Sequence, residues 1–277
     1  LDYFSKARIL GLTATPTEEA YAFFDGNIIE NYSYEDSVVD GVNVPKRIYR
    51  ITTKTSLHGG EMNKGDEIAE RSRRTGEITT FKSGKDIDYS PNALDRSIVN
   101  TSQIETVLRE YRDSIYTDLY PERFSDNGEW DWSYIPKTLI FAKDDNHADK
   151  IVEIAQKVFG EKFNNGRVPE NYVRKITYSA GDSNALIRDF RVEKDFRIAV
   201  TVTLVATGTD IRPLEVVLFM RDVNSEVLYT QMKGRACRCI NDDKLKEVTP
   251  NAQTKECYYI VDAVGVTEHE KDIPSKV

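Results

Sequence analysis

Short apolar runs alternating with segments of helical periodicity constrain the C-terminal half of this chain more than any other feature. KTLIFA (137–142) reads as a buried strand bounded by Pro136 and the polar cluster Asp144, Asp145 and Asn146. Ala148, Ile151, Val152, Ala155, Val158 and Phe159 then recur at the spacing of one helical face. RKITYS (174–179) is a second strand, after which Ser183 is placed to cap a helix carrying Leu186, Ile187 and Phe190. FRIAVTV (196–202) and LEVVLFM (214–220) are near-continuous apolar runs, the pattern of strands covered on both faces. A helix from Ser225 and a strand at CYYIVDA (257–263) complete the series. Strands alternating with helices predict an α/β fold with a doubly wound parallel sheet.

The N-terminal half obeys a different pattern. RILGLTATP (8–16) reads as a strand ending in a Thr-rich turn, and VPKRIYRITT (44–53) is strand-like. The polar stretch that follows, with Gly59, Gly60, Gly65, Gly76 and Gly84, reads as an extended insertion or arm. Ser102 and Glu105 have the spacing of a capping box ahead of Ile104, Val107, Leu108, Tyr111 and Ile115. Residues 120–135, aromatic and acidic, read as a loop into the sheet.

Charge and cysteine usage narrow the classes. Lys and Arg number 38 against 46 Asp and Glu, a net charge of −8. That excludes a globally basic nucleic-acid coat but leaves room for a local basic groove. Three cysteines make no disulfide framework, so a reducing, intracellular compartment is expected. Cys237 and Cys239, in a run read as helical, would point apart, and no metal site is predicted. No apolar run approaches the roughly 20 residues of a membrane span. The first residues lack a secretory signal and begin without Met, suggesting a piece of something longer.

Three segments carry candidate chemistry: LTATP (12–16), VATGTDIRP (205–213) and QMKGRACR (231–238). In a doubly wound sheet the loops at strand carboxyl ends converge on one edge, and the segments are expected there. On a helix, Arg235 and Arg238 would face one way, suited to a γ-phosphate, because phosphoryl transfer needs charge neutralisation. Taken singly, each segment reads more readily as an ordinary feature: a turn, a βα loop and a solvated helix face.

TLIFAKDDNHADKI, AVTVTLVATGTDIRP and YTQMKGRACR resemble motifs IV, V and VI of superfamily 2 helicases, and LTATP resembles motif III. More narrowly, DYFSKARILGLTATPT, NYSYEDSVVDG, VLFMRDVNSEVLYTQMKGRACR and IVDAVGV resemble the motor (R) subunit of type I restriction endonucleases. The resemblance implies that Arg235 and Arg238 are arginine fingers and that Gly208, Asp210, Gln231 and Gly234 lie at the nucleotide. It implies that Thr13, Ala14 and Thr15 couple ATP state to nucleic-acid grip. Tyr178, Ser179, Thr201 and Thr203 are candidate DNA contacts. Motif V departs from the DEAD-box pattern at Thr207 and at Val202, which counts against an RNA helicase of that type.

The implied organisation is the tail of a first motor domain at 1–30, an insertion or arm at 31–100, and a helix and loop at 101–136. A second RecA-like motor domain follows at 137–266, then the start of a C-terminal region at 267–277. ATP and Mg2+ are expected in the full-length protein, with none bound to this stretch alone. Expected partners are double-stranded DNA and the modification and specificity subunits, with no membrane and a cytoplasmic location. No G-x-x-x-x-G-K-[ST] loop occurs, and Asp66–Ala69 reads as a loop, not a DExx box. This chain therefore reads as half of an ATP site, expected to be inactive alone. Arg71, Arg73, Arg74, Lys82 and Lys85 form either a phosphate-gripping patch or a solvated loop balanced by Glu67, Glu70 and Glu77. Another superfamily 2 helicase and a non-catalytic docking domain are the competing readings.

Overall fold

The computed structural model describes residues 8–13, 15–51, 60–62, 67–71, 78–82, 87–89, 100–124, 127–176, 183–202, 210–223 and 225–269. At its centre is a six-stranded sheet. Its strands are β1 (Lys46–Arg50), β6 (Lys137–Phe141), β7 (Val173–Lys175), β8 (Ile198–Thr201), β9 (Leu214–Phe219) and β10 (Tyr258–Asp262). They lie in the order β1-β10-β9-β6-β8-β7, and every pairing is parallel. The doubly wound parallel sheet read from the sequence is the fold.

The two-residue period of the strands divides the core. Ile140, Val200, Val216 and Leu218 face one cluster, which helices Thr101–Ser114 and Asp145–Gly160 cover with Leu108, Tyr111, Ile151 and Val158. Leu139, Phe141, Ala199, Val217 and Phe219 face the other, under helices Ser183–Val192 and Glu226–Lys233, which contribute Ile187, Phe190, Tyr229 and Met232. Because both faces are covered, β6, β8, β9 and β10 are buried along their whole length. Asp144 caps the second of these helices by accepting from the His147 amide at 2.9 Å, and Ser225 caps the fourth by accepting from Leu228.

Four local expectations are corrected. The strand expected at 44–53 does not belong to an arm: β1 is an edge of the main sheet, paired with β10 from Lys46↔Tyr258 to Arg50↔Asp262. Its exposed Arg47 and Arg50 suit an edge that must not recruit another chain. Residues 8–13 form no strand; Ile9, Leu10 and Leu12 are exposed, outside the sheet that would have given them a ladder. The first long helix is capped by Asn100, whose side chain accepts from Gln103 N at 3.2 Å, not by Ser102. Glu105 bonds Arg109 one turn on instead. Finally, of the loop expected at Asp66–Ala69, residues 67–69 belong to β3 (Glu67–Arg71), antiparallel to β4 (Ile78–Lys82), and Asp66 lies outside the described residues. β2 (Gly60–Met62) pairs antiparallel with β5 (Ile87–Tyr89) as a separate two-stranded sheet. Of the basic patch, Arg73, Arg74 and Lys85 lie outside the described residues.

Candidate functional site

Helix Glu226–Lys233 carries Gln231 on its exposed side and stops at Gly234. At Gly234 the backbone runs close to the last turn: a Cβ there would stand 3.0 Å from the Thr230 carbonyl oxygen. The chain then leaves the helix, because residues 42–44 compete for its backbone groups. Val44 N donates to Cys237 O at 2.7 Å, Cys239 N donates to Val42 O at 3.4 Å, and Asn43 and Arg238 form an antiparallel bridge. Arg235 and Arg238 thus do not share a helix face, and the expected i, i+3 alignment is replaced by a bridged loop. Arg238 is exposed; Arg235 is half-buried, and the desolvation lowers its pKa. The two thiols flanking Arg238 donate to different carbonyls, Cys237 to Gly234 and Cys239 to Gly41.

The edge of the sheet is also not the one expected. The helix after β9 returns the chain, so Arg238 comes to rest beside residues preceding β1 and β10. Asp210 and Arg212 sit just ahead of β9, with Leu214 N bonded to Ile211 O at 3.0 Å. Lys255, three residues before β10, is buried and donates from Nζ to Arg212 O at 2.8 Å and to Arg238 O at 2.9 Å. Asp210, Arg212 and Arg238 are therefore gathered at strand amino ends, opposite the carboxyl edge. Asp210 Oδ2 accepts from Arg212 Nε at 2.8 Å, while its Oδ1 is buried with no partner among the described residues.

Thr201 lies at the other end of the sheet, closing β8. It is buried, and its Oγ1 has no partner among the described residues. Val202 beside it accepts from Arg221 Nη1 at 3.4 Å. Strands of four to six residues separate this edge from the Arg238 edge by roughly 13–20 Å. Thr13 is exposed, with its Oγ1 accepting from Thr15 N at 3.1 Å, and Thr15 is half-buried. Ala14, Tyr178, Ser179, Thr203 and Gly208 lie outside the described residues.

Sequence reasoning missed the residues that hold the arginine loop. Tyr34 donates from its hydroxyl to Val44 O at 2.7 Å, and burial pushes that hydroxyl up to about 12. Asn43 Nδ2 donates to Ser37 Oγ at 2.8 Å. In sequence, Lys255 in QTKECYY has nothing to mark it off from a solvated lysine.

Comparison with known proteins gives this geometry its context. Residues 131–239 match the helicase conserved C-terminal domain family. Over 244 residues, 86% of this chain, it is 30% identical to the type I restriction enzyme EcoKI endonuclease subunit of Escherichia coli (strain K12). This chain is similar to one stretch of the endonuclease subunits of type I restriction enzymes. The EcoAI endonuclease subunit of Escherichia coli is 27% identical over 246 residues, also 86% of the chain. The chain spans 19% and 27% of the lengths of these two restriction subunits. A fragment structure assigned as an HsdR subunit of a type I restriction enzyme from Vibrio vulnificus YJ016 shares the fold. There the TM-score is 0.63 at 20% identity, over 98% of this chain and 42% of that one. The helicase match begins after β1 and ends one residue after Arg238, so β1, β10 and Lys255 all lie outside it.

Proposed function

We propose that this segment supplies the arginine-finger half of the ATP site in a DNA-translocating restriction subunit, with ATP hydrolysis driving movement along double-stranded DNA. The observation that carries the reading is Arg238: an exposed guanidinium on a loop whose backbone is bonded on both flanks. A cation on a fixed backbone, facing solvent, suits a charge that develops only when a second domain closes over it.

The residues fit a nucleotide in part. Arg238 and Arg235 would meet phosphate oxygens, and the orphaned Asp210 Oδ1 would accept from a hydroxyl; Gln231 and Gly234 border them. Among the described residues no group of three or more His, Cys, Asp or Glu is placed to hold a metal. Because the sequence carries no G-x-x-x-x-G-K-[ST] loop, we assign Mg2+ and the phosphate-binding loop to the facing domain. When bound there, ATP supplies the phosphoryl group whose transfer releases the free energy for movement. The role of this chain is to neutralise charge on that group and to exclude other arrangements of the cleft.

On the same reading, DNA is gripped beyond the carboxyl edge that the buried Thr201 closes, so nucleotide and track occupy opposite ends of the sheet. Thr13 and Thr15 belong to the coupling segment, and the nuclease, the modification subunit and the specificity subunit are contributed elsewhere in a cytoplasmic complex.

The test is Arg238→Ala in the native polypeptide that carries these residues. ATP turnover should drop by about 10³-fold or more, with DNA binding little changed and Arg238→Lys a poor rescue. Normal single-turnover hydrolysis by folded Arg238→Ala protein would overturn the assignment and leave the docking-domain reading.

A further inference from the structure

Lys255 is an unusual place for a lysine. It is 6% exposed, and its ammonium is spent on two backbone carbonyls, Arg212 O and Arg238 O, 43 and 17 residues away in sequence. Desolvation by burial is the main influence on it and brings its pKa down to about 8, while Glu215, Cys237, Cys239 and Asp210 act in the opposite direction. An aliphatic side chain would fill this volume without the cost of burying a charge, so the two acceptors explain the residue.

Those acceptors belong to the two segments that carry the nucleotide-facing candidates. Arg212 follows Asp210, and its own Nε holds the Asp210 carboxylate at 2.8 Å. Arg238 is the candidate finger. On either side of Arg238 the loop is already bound, by Val44 N to Cys237 O and by Cys239 N to Val42 O. With the Arg238 carbonyl also taken, the loop backbone has little freedom left, and only side-chain rotation separates an open from an engaged guanidinium.

We infer that Lys255 is a positioning residue that ties the Asp210–Arg212 segment and the Arg238 loop into one unit, so that both present their side chains to the nucleotide together. This rests on the arginine-finger reading above and deepens it. A guanidinium delivered from a fixed backbone meets the transition state with less ordering left to do, so the tie should act on turnover more than on nucleotide affinity.

The experiment uses the native polypeptide carrying these residues, with Lys255→Met, Arg238→Ala and the double variant. DNA-stimulated single-turnover ATP hydrolysis is measured per folded molecule, with KM for ATP and amide hydrogen exchange over 236–240. Lys255→Met should lower kcat about tenfold or more while KM shifts by less than about threefold. Exchange over 236–240 should rise, and the double variant should be no slower than Arg238→Ala alone, because the lysine acts through the arginine. A folded Lys255→Met protein with unchanged kcat, or losses that multiply in the double variant, would overturn the inference. If Met at 255 does not fold, Lys255→Gln, which is too short to reach both carbonyls, carries the same comparison. Normal hydrolysis by Arg238→Ala would remove the finger reading itself. An inactive Arg238→Ala beside a fully active Lys255→Met would remove only the role given to Lys255.

Discussion

Arg123 and Glu215 meet as a two-pronged ion pair, Nη2 to Oε1 at 2.5 Å and Nη1 to Oε2 at 3.2 Å, with both side chains out of water. Glu215 is the second residue of β9, and Arg123 comes from the loop after the first long helix, lying 4.0 Å over the Tyr120 ring. Tyr120 in turn donates to Glu215 O at 3.2 Å. The pair fastens the 120–135 segment to the sheet. Glu215→Ala leaves a buried guanidinium without its partner and should cost about 3–5 kcal/mol in chemical denaturation. Replacing both residues by apolar side chains of similar size should cost less than the sum of the single changes.

His147 predicts an acid-sensitive core. Its Nδ1 accepts from Lys143 N at 3.1 Å, and burial pulls its pKa from the usual 6.5 to about 4, so the folded ring is neutral. Between those values the unfolded chain binds a proton that the folded chain does not. The stability it contributes is fully present above pH 6.5 and is lost as pH falls toward about 4. The loss should reach up to roughly 3 kcal/mol. His147→Gln should flatten that limb of the stability–pH curve; an unchanged slope would show that the ring is not the titrating group.

A second acid limb belongs to Glu161. Its carboxylate accepts from Arg109 at 2.7 Å and from Arg112 at 2.7 Å, and these bonds hold its pKa down to about 2. Stability from the pair is present above the ordinary carboxylate range near 4.5 and is lost as pH falls toward about 2. The Glu161 side chain is 41% exposed, so screening makes this limb smaller than the His147 limb and sensitive to salt. Glu161→Gln should remove it, and added salt should reduce it in the parent.

Large apolar side chains are exposed along the N-terminal region, among them Leu12, Ile29 and Val39 at 89%, 78% and 85%. Side chains this open contribute little to the packed core. Leu12→Ser, Ile29→Ser and Val39→Ser should each change stability by no more than about 0.5 kcal/mol. Together they should lower concentration-dependent light scattering by the isolated 277-residue chain. A large loss of thermal stability in any one would show that it packs.

The sequence by itself determined the fold class and the strands and helices of the C-terminal half. Runs such as LEVVLFM are apolar at every position because both faces of β9 are covered, and that signal is local. Helix faces, the Ser225 cap and the motif segments are local in the same sense. What the tertiary structure decided is how distant pieces compete for the same backbone groups. QMKGRACR has helical spacing throughout, yet residues 42–44 take the carbonyl and amide beside Arg238, and the helix ends at Lys233. VPKRIYRITT reads as a strand, but nothing within it specifies pairing with β10, more than 200 residues on. The same holds for Lys255: its type and neighbours are those of a surface lysine, and only the meeting of the Arg212 and Arg238 carbonyls gives its ammonium a reason to be buried.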